Sequence, residues 1–122
     1  MYVESQILVA DPIAAGGTYT GYFNAMNGEI LSLSYVKDDF ANGVDFTITN
    51  ETTGETIWTE ENVDAAKTVR PMALNQNTAG VDLAISADIP NRRPLFLANE
   101  RVKVVIANGG VSTGGTFVLK VG

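Results

Sequence analysis

The sequence predicts an all-β protein with about eight strands, arranged as an antiparallel sandwich or barrel. Three observations lead to this prediction. Apolar residues recur with a period of two in several short runs, and turn signals containing glycine separate these runs at intervals of about ten residues. In addition, no window of the chain shows a convincing helical stripe.

The candidate strands are runs in which apolar and polar residues alternate. In one of them Leu31, Leu33 and Tyr35 fall on one face, while Ser32 and Ser34 fall on the other. β-Branched and aromatic residues fill these runs, which suits a pleated, half-buried surface. Some runs are expected to merge or vanish; in order they are residues 4–10, 18–24, 29–37, 44–50, 55–60, 67–73, 81–86, 101–107 and 115–121.

The segments between the candidate strands are predicted to be turns and loops. Asn-Gly pairs at 27–28, 42–43 and 108–109 supply the positive-φ positions that tight turns need. Residues 91–100 are predicted to be a connecting loop with a short apolar anchor. Residues 61–69 are the best candidate for a helix, with the length for one helical turn.

Residues 45–60 are predicted to form a hairpin with one wet face. A four-residue loop with Gly54 in the left-handed conformation makes Ile48 and Ile57 cross-strand partners. Trp58 then lies on the outward face among threonines. An exposed aromatic side chain in that position suits a contact surface better than a core, so Trp58 is a candidate partner contact.

Composition excludes several classes of function. The chain has 122 residues, expected to form one domain, and contains neither cysteine nor histidine. Disulfide frameworks, thiolate metal sites and Ser-His-Asp or Cys-His mechanisms are therefore impossible, and we expect neither an enzyme nor a cofactor. The net charge of −6 argues against nucleic acid and anionic membranes as partners.

The N-terminal residues have no basic region of the kind that begins a secretion signal. The chain is therefore expected to be made and kept inside a cell. The apolar run from Ile7 to Val9 indicates a strand. Residues 1–17 either form an ordinary edge strand of the domain, which is the expected case, or reach a neighbouring copy as an exchanged arm.

Two groups of acids and amides are candidate sites of chemistry. One group, Glu51, Glu55, Glu60 and Glu61, clusters in and after the predicted hairpin. Its first two members flank an exposed turn, which favours solvated acids over a catalytic pair. The other group has hard oxygens suited to calcium but not the loop spacing that calcium sites use, so a strand-to-strand turn is favoured; it comprises Asp38, Asp39, Asn42 and Asp45.

Three arginines lie beside prolines in predicted loops. They are Arg70, Arg92 and Arg93, and they make up three of the eight basic residues. Arginine is enriched in protein interfaces because its guanidinium pairs with carboxylates at two points. The three are candidate partner contacts, with solvated loop arginines as an equal alternative.

Residues 40–66 and 101–122 resemble small structural proteins of tailed bacteriophages, including head decoration, or cement, proteins. The shared patterns are residues 42–49, residues 53–57, the Arg70-Pro71 pair, and an apolar strand at 102–106 followed by Asn-Gly-Gly and Thr-Gly-Gly-Thr-Phe. The resemblance covers roughly residues 28–122 and carries no catalytic motif.

The resemblance implies a single antiparallel β-sandwich of jelly-roll type. It also implies a homo-oligomer, a dimer or trimer, that is made in the host cytoplasm. The oligomer would bind the major capsid protein on the outside of the mature phage head and bridge neighbouring subunits. Two alternatives stay open: a tail or fibre component of the virion, and a carbohydrate-binding module whose stacking platform would be Trp58, Tyr19, Tyr22 or Tyr35.

Overall fold

The protein is an all-β structure. The computed structural model describes residues 2–10, 17–38, 40–86, 89–90, 92–110 and 113–122, with backbone only for residues 84–86 and 89–90. These residues contain no helix, and their strands pair antiparallel throughout. The all-β prediction is confirmed.

Thirteen strands occur within the described ranges. They are β1 (Glu4–Ala10), β2 (Tyr19–Tyr22), β3 (Met26–Val36), β4 (Val44–Asn50), β5 (Thr56–Val63), β6 (Lys67–Val69), β7 (Met72–Leu74), β8 (Ala84–Ser86), β9 (Ile89–Pro90), β10 (Arg92–Pro94), β11 (Phe96–Glu100), β12 (Val102–Ala107) and β13 (Gly115–Val121). The predicted bounds of β1, β4 and β13 agree with these, and those of β2, β3, β5 and β12 differ at their ends.

Two sheets form the sandwich, and their strand order is that of a jelly roll. The first sheet runs β1-β13-β3, and β6 and β11 share the far edge of β3; the second sheet runs β2-β12-β4-β5. Strands β1 to β4 thus alternate between the two sheets. Of the last two strands, β12 lies between β2 and β4 in the second sheet, and β13 lies between β1 and β3 in the first. With β6 and β11 counted as one position, this gives the eight-strand framework of two Greek keys.

Alternation along the strands places the core between the two sheets. Tyr35 and Phe117 enter from the first sheet and Phe46 from the second, and all three are almost fully buried. The Phe46 ring lies 5.1 Å from that of Tyr35 and 5.3 Å from that of Phe117, measured between centroids. Such aromatic contacts add to the roughly 2–3 kcal/mol that burial of each large apolar side chain contributes.

Between β6 and β11 the chain leaves the framework as an arm. The arm begins at residue 70 and ends at Phe96, the first residue of β11, and its described residues include a short ladder in which β7 pairs with β10. The predicted strand 67–73 was wrong as one unit, because it breaks at Arg70-Pro71 into β6, which pairs with β3, and β7, which pairs with β10. The break occurs at a residue that lacks a backbone donor.

Two predictions about connecting segments were wrong. The predicted loop 91–100 contains β10 and β11. Pro94 stands at the end of the β7–β10 ladder, a place where a missing N–H is tolerated. The candidate helical turn within 61–69 is instead the end of β5 and the whole of β6.

The N-terminal segment is an edge strand of its own domain. β1 pairs with β13 without a register shift over its seven residues. β1 thus lies at the edge of the first sheet of its own chain. Residues 11–16 of the predicted 1–17 segment lie outside the described residues.

Candidate contact surface

Trp58 is buried, so its prediction as an outward contact residue was wrong. Only 7% of its surface is exposed. The predicted loop is correct, because Gly54 has a φ of 75° and Asn50 N–H donates to Glu55 C=O across the loop. The register is not the predicted one: Thr49 faces Thr56 and Ile48 faces Trp58, so Ile57 is the extra residue of a β-bulge. The bulge lets Ile57 and Trp58 both point inward.

The buried indole of Trp58, in the edge strand of the second sheet, contacts two side chains, those of Phe46 and Glu60. Trp58 packs edge-on against Phe46, with ring centroids 4.7 Å apart, and its Nε1 donates to Glu60 Oε1 at 3.1 Å. Lys67 Nζ donates to the same oxygen of Glu60. The Lys67 hydrogen bond is the main cause that lowers the pKa of Glu60, and the Trp58 hydrogen bond adds to it.

Glu51, another of the hairpin acids, forms an ion pair with Arg101. Glu51 accepts two hydrogen bonds from Arg101 Nη2, at 2.8 and 2.6 Å. The same guanidinium lies 4.1 Å over the ring of Tyr22, so it joins the hairpin loop to β2. Within the described part of the chain, no three acidic side chains come together as a metal centre would require.

The residues considered for calcium are hydrogen-bonded to protein donors. Asp38 accepts from Thr116 Oγ1 at 2.8 Å, and Asp45 accepts from the Asn62 backbone N–H at 2.8 Å and from Asn108 Nδ2 at 2.6 Å. Asn42 accepts from Lys37 Nζ. The fourth residue of that set, Asp39, lies outside the described residues.

The three candidate arginines all lie on the arm. Arg92 and Arg93 occupy β10 opposite Leu74 and Ala73, and Arg70 lies two residues before β7 begins at Met72. All three are exposed. None of them forms an ion pair with any described residue, whereas Lys67 and Arg101 do.

Exposed apolar side chains accompany these arginines. Phe96, the first residue of β11 at the end of the arm, is 59% exposed, and Met72 of β7 is 52% exposed. A shallow cleft of about 320 Å³ lies here, lined in part by Arg93 and Phe96 of the arm and by Glu55 of the hairpin loop. We call Arg70, Met72, Arg92, Arg93 and Phe96 together the arm surface.

The arm also differs in charge from the rest of the molecule. Residues 70–96 contain three arginines and two aspartates, a net charge of +1. Because the net charge of the whole chain is −6, the net charge of the remaining residues is −7. A positively charged, partly apolar surface on an acidic protein is suited to an acidic protein partner. Phe96 and Met72 were not predicted as contacts, although the alternation Leu95-Phe96-Leu97 would have sent Phe96 outward.

The four aromatic residues considered for sugar stacking do not form an exposed row. Tyr35 and Trp58 are buried in the core, and Tyr19 is half-buried against it. Tyr22 is exposed, but the Arg101 guanidinium covers its ring. A stacking platform needs accessible ring faces, which this set does not offer.

Comparison with known proteins leaves the fold and the arm surface as the guides to function. No protein-family model matches the chain. No curated protein matches it either. None of the described segments forms a helix with the length and apolar character needed to span a membrane.

Proposed function

We propose that this protein is a structural virion protein of a tailed bacteriophage. In this proposal it binds the outer surface of the mature head and bridges neighbouring major capsid subunits, which stabilises the shell. The protein acts through contact area rather than through catalysis. The resemblance of residues 28–122 to phage head proteins supports the proposal, as does the jelly-roll order of the strands.

The observation that carries the proposal is the arm surface. Its arginines are free of acidic partners within the described chain, and its two apolar side chains are more than half exposed. Arginine and aromatic residues dominate the energetics of protein interfaces. The arm ladder lies outside the two main sheets, so its exposed side chains can contact a neighbouring surface without altering the strand order of the sandwich.

The remainder of the molecule suits a protein present in many copies. Its acidic charge keeps unassembled copies soluble and away from packaged DNA. Each copy needs to contribute only a modest interface free energy, because many contacts around a shell act together.

Sedimentation with phage heads tests this proposal. Expanded heads of the encoding phage, assembled without the protein, are mixed with micromolar protein and pelleted. We expect the wild-type protein in the pellet, and we expect Arg92→Glu/Arg93→Glu to lower the bound fraction at least about tenfold, since an arginine at an interface hot spot contributes about 2 kcal/mol or more.

The matched control reverses two charges away from the arm. Lys103→Glu/Lys120→Glu changes the net charge by the same amount at outward positions of the two sheets, and neither lysine forms an ion pair with a described residue. We expect this variant to sediment with the heads like the wild type. Wild-type protein that stays in the supernatant, or equal loss of binding in both variants, contradicts the proposal.

A further inference from the structure

Among the described residues, β1 is an open edge of the first sheet without the features that usually protect sheet edges. At the other edges, β5 carries two register shifts, β11 carries one, and β2 and β6 have only four and three residues. β1 has seven residues, a regular register, no proline and a single charged residue, Glu4. Long, regular and apolar edges are sites for pairing with another strand.

In β1, every second residue has its backbone N–H and C=O groups directed toward the open edge. The backbone N–H and C=O of Gly122 both bond to Glu29 of β3. The backbone N–H and C=O of the neighbouring Val121 are therefore directed to the other side, toward β1. Val121 faces Glu4, and the same alternation makes Gln6, Leu8 and Ala10 bond to β13. Ser5, Ile7 and Val9 therefore present their backbone N–H and C=O groups to the open edge, where no described residue meets them.

The same three residues carry the exposed side chains of β1. Ile7 is 67% exposed and Val9 is 57% exposed. Ile7 pairs with Val118 of β13. Val9 pairs with Thr116 of β13, and Thr116 pairs in turn with Val36 of β3. The open edge thus borders an apolar strip on the outer face of the first sheet.

We propose that β1 pairs antiparallel with β1 of a second copy, about a two-fold axis at Ile7. This register joins Ser5 to Val9, Ile7 to Ile7 and Val9 to Ser5, and it forms about six N–H···O bonds between the copies. It places Glu4 opposite Ala10, so the two Glu4 carboxylates are separated by about 20 Å along the strands. A parallel pairing would instead set them side by side.

The size of the contact sets its strength. Two short strands and their flanking side chains bury less than the roughly 800 Å² per partner of a typical stable interface. The dimer is therefore weak in dilute solution and gains from the high local concentration on a shell. This inference adds self-association to the proposed function, and its test needs no phage head, so the two can fail separately.

Cysteine cross-linking tests the register, because the chain has no natural cysteine. In the proposed pair the two Ile7 Cα atoms are about 5.5 Å apart, within the range that a disulfide spans. We expect Ile7→Cys to form a disulfide dimer under mild oxidation at least tenfold faster than the control Val105→Cys, an outward position on the second sheet. Equal rates for the two variants would overturn the proposed register.

Sedimentation velocity tests the dimer itself. The wild-type protein is expected to shift from monomer to dimer, and no further, as its concentration rises from micromolar to millimolar. Ile7→Lys sets two like charges at the centre of the pair and is expected to remain monomeric, while Val105→Lys dimerises like the wild type; circular dichroism confirms that both fold. A wild-type monomer at all concentrations overturns the proposal, including the case in which β1 pairs with a coat-protein strand instead.

Discussion

At the scale of single residues, one buried side-chain polar atom, the hydroxyl oxygen of Tyr35, has no hydrogen-bond partner among the described residues. Tyr35 is 1% exposed. Its ring packs among Phe40, Phe46 and Phe117, so the ring is well placed while the oxygen is desolvated without compensation. Burial, with a smaller effect of Asp38, raises the pKa of Tyr35 to about 12.

The unsatisfied hydroxyl makes Tyr35→Phe a stabilising substitution. A buried donor without a partner costs about 1–3 kcal/mol, so its removal should raise the free energy of unfolding by about 1 kcal/mol, as measured by urea denaturation. Tyr2→Phe, at a side chain that is 84% exposed, is the control and should change little. A large loss of stability in Tyr35→Phe would show that the hydroxyl is bonded.

Tyr35 also predicts a pH dependence. Because its pKa is higher in the folded protein than in the unfolded chain, its contribution is complete below pH 10 and is lost as the pH rises toward about 12. Unfolding free energy measured between pH 9 and 12 should therefore fall more steeply for the wild type than for Tyr35→Phe. Parallel curves would contradict this assignment.

Glu60 predicts a dependence of opposite sign. Its pKa is lowered, first by the hydrogen bond from Lys67, so its contribution is present above the unfolded pKa and is lost as the pH falls through the folded value. We expect Glu60→Gln to cost about 0.5–1 kcal/mol at pH 7 and to flatten the loss of stability below about pH 4.5. Glu61→Gln, at an exposed neighbour, is the control; an equal effect there would contradict the role of Glu60.

At the scale of strands, the bulge in β5 decides the role of Trp58. Alternation alone sends Trp58 outward, as it does for every second residue of a regular strand. The extra residue Ile57 resets the register and turns the indole into the core. A single inserted residue leaves no periodic signal in a short run, so sequence reasoning could predict the loop and Gly54 but not the inward tryptophan.

Deletion of Ile57 tests the bulge. Without the extra residue, Thr56 and Trp58 still face Thr49 and Ile48, so the tryptophan should stay buried. The cost should be that of one buried isoleucine side chain, about 2–4 kcal/mol. Tryptophan emission should keep its short wavelength and its protection from iodide; emission at long wavelength in the folded variant would contradict the observed register. Ile57→Ala serves as the control for lost volume.

The arm shows where sequence reasoning about strands reaches its limit. β4 and β13 have regular alternation, β1 has an apolar run, and the bounds of all three were predicted correctly. β10 consists of Arg92, Arg93 and Pro94, which give neither alternation nor β-propensity, and its pairing with β7 is decided by tertiary contacts. The arginines were recognised as contact candidates, but the ladder that carries them could not be predicted.

At the scale of the whole molecule, the fold depends on pairings between strands that are distant in sequence. β1 pairs with β13, and β2 pairs with β12, so the ends of the chain close both sheets. Alternation predicts each strand and its buried face but does not say which strands are neighbours. The jelly-roll expectation came from the resemblance to phage head proteins, and the strand order agrees with it.

The proposed function gives each part of the molecule a separate task. The sandwich supplies a rigid scaffold, the arm surface contacts the shell, and the β1 edge joins two copies. In this account, charge reversal on the arm prevents head binding but leaves the dimer intact. Ile7→Lys prevents the dimer, and it lowers head binding only because two copies no longer bind the shell together.

Electron cryo-microscopy of expanded heads, with and without the added protein, tests the central claim most directly. The account predicts additional density on the outer surface that fits the jelly roll, spans neighbouring capsid subunits and places Arg92 and Arg93 against the shell. Heads with no additional density at saturating protein, or density found only on the tail, would contradict it.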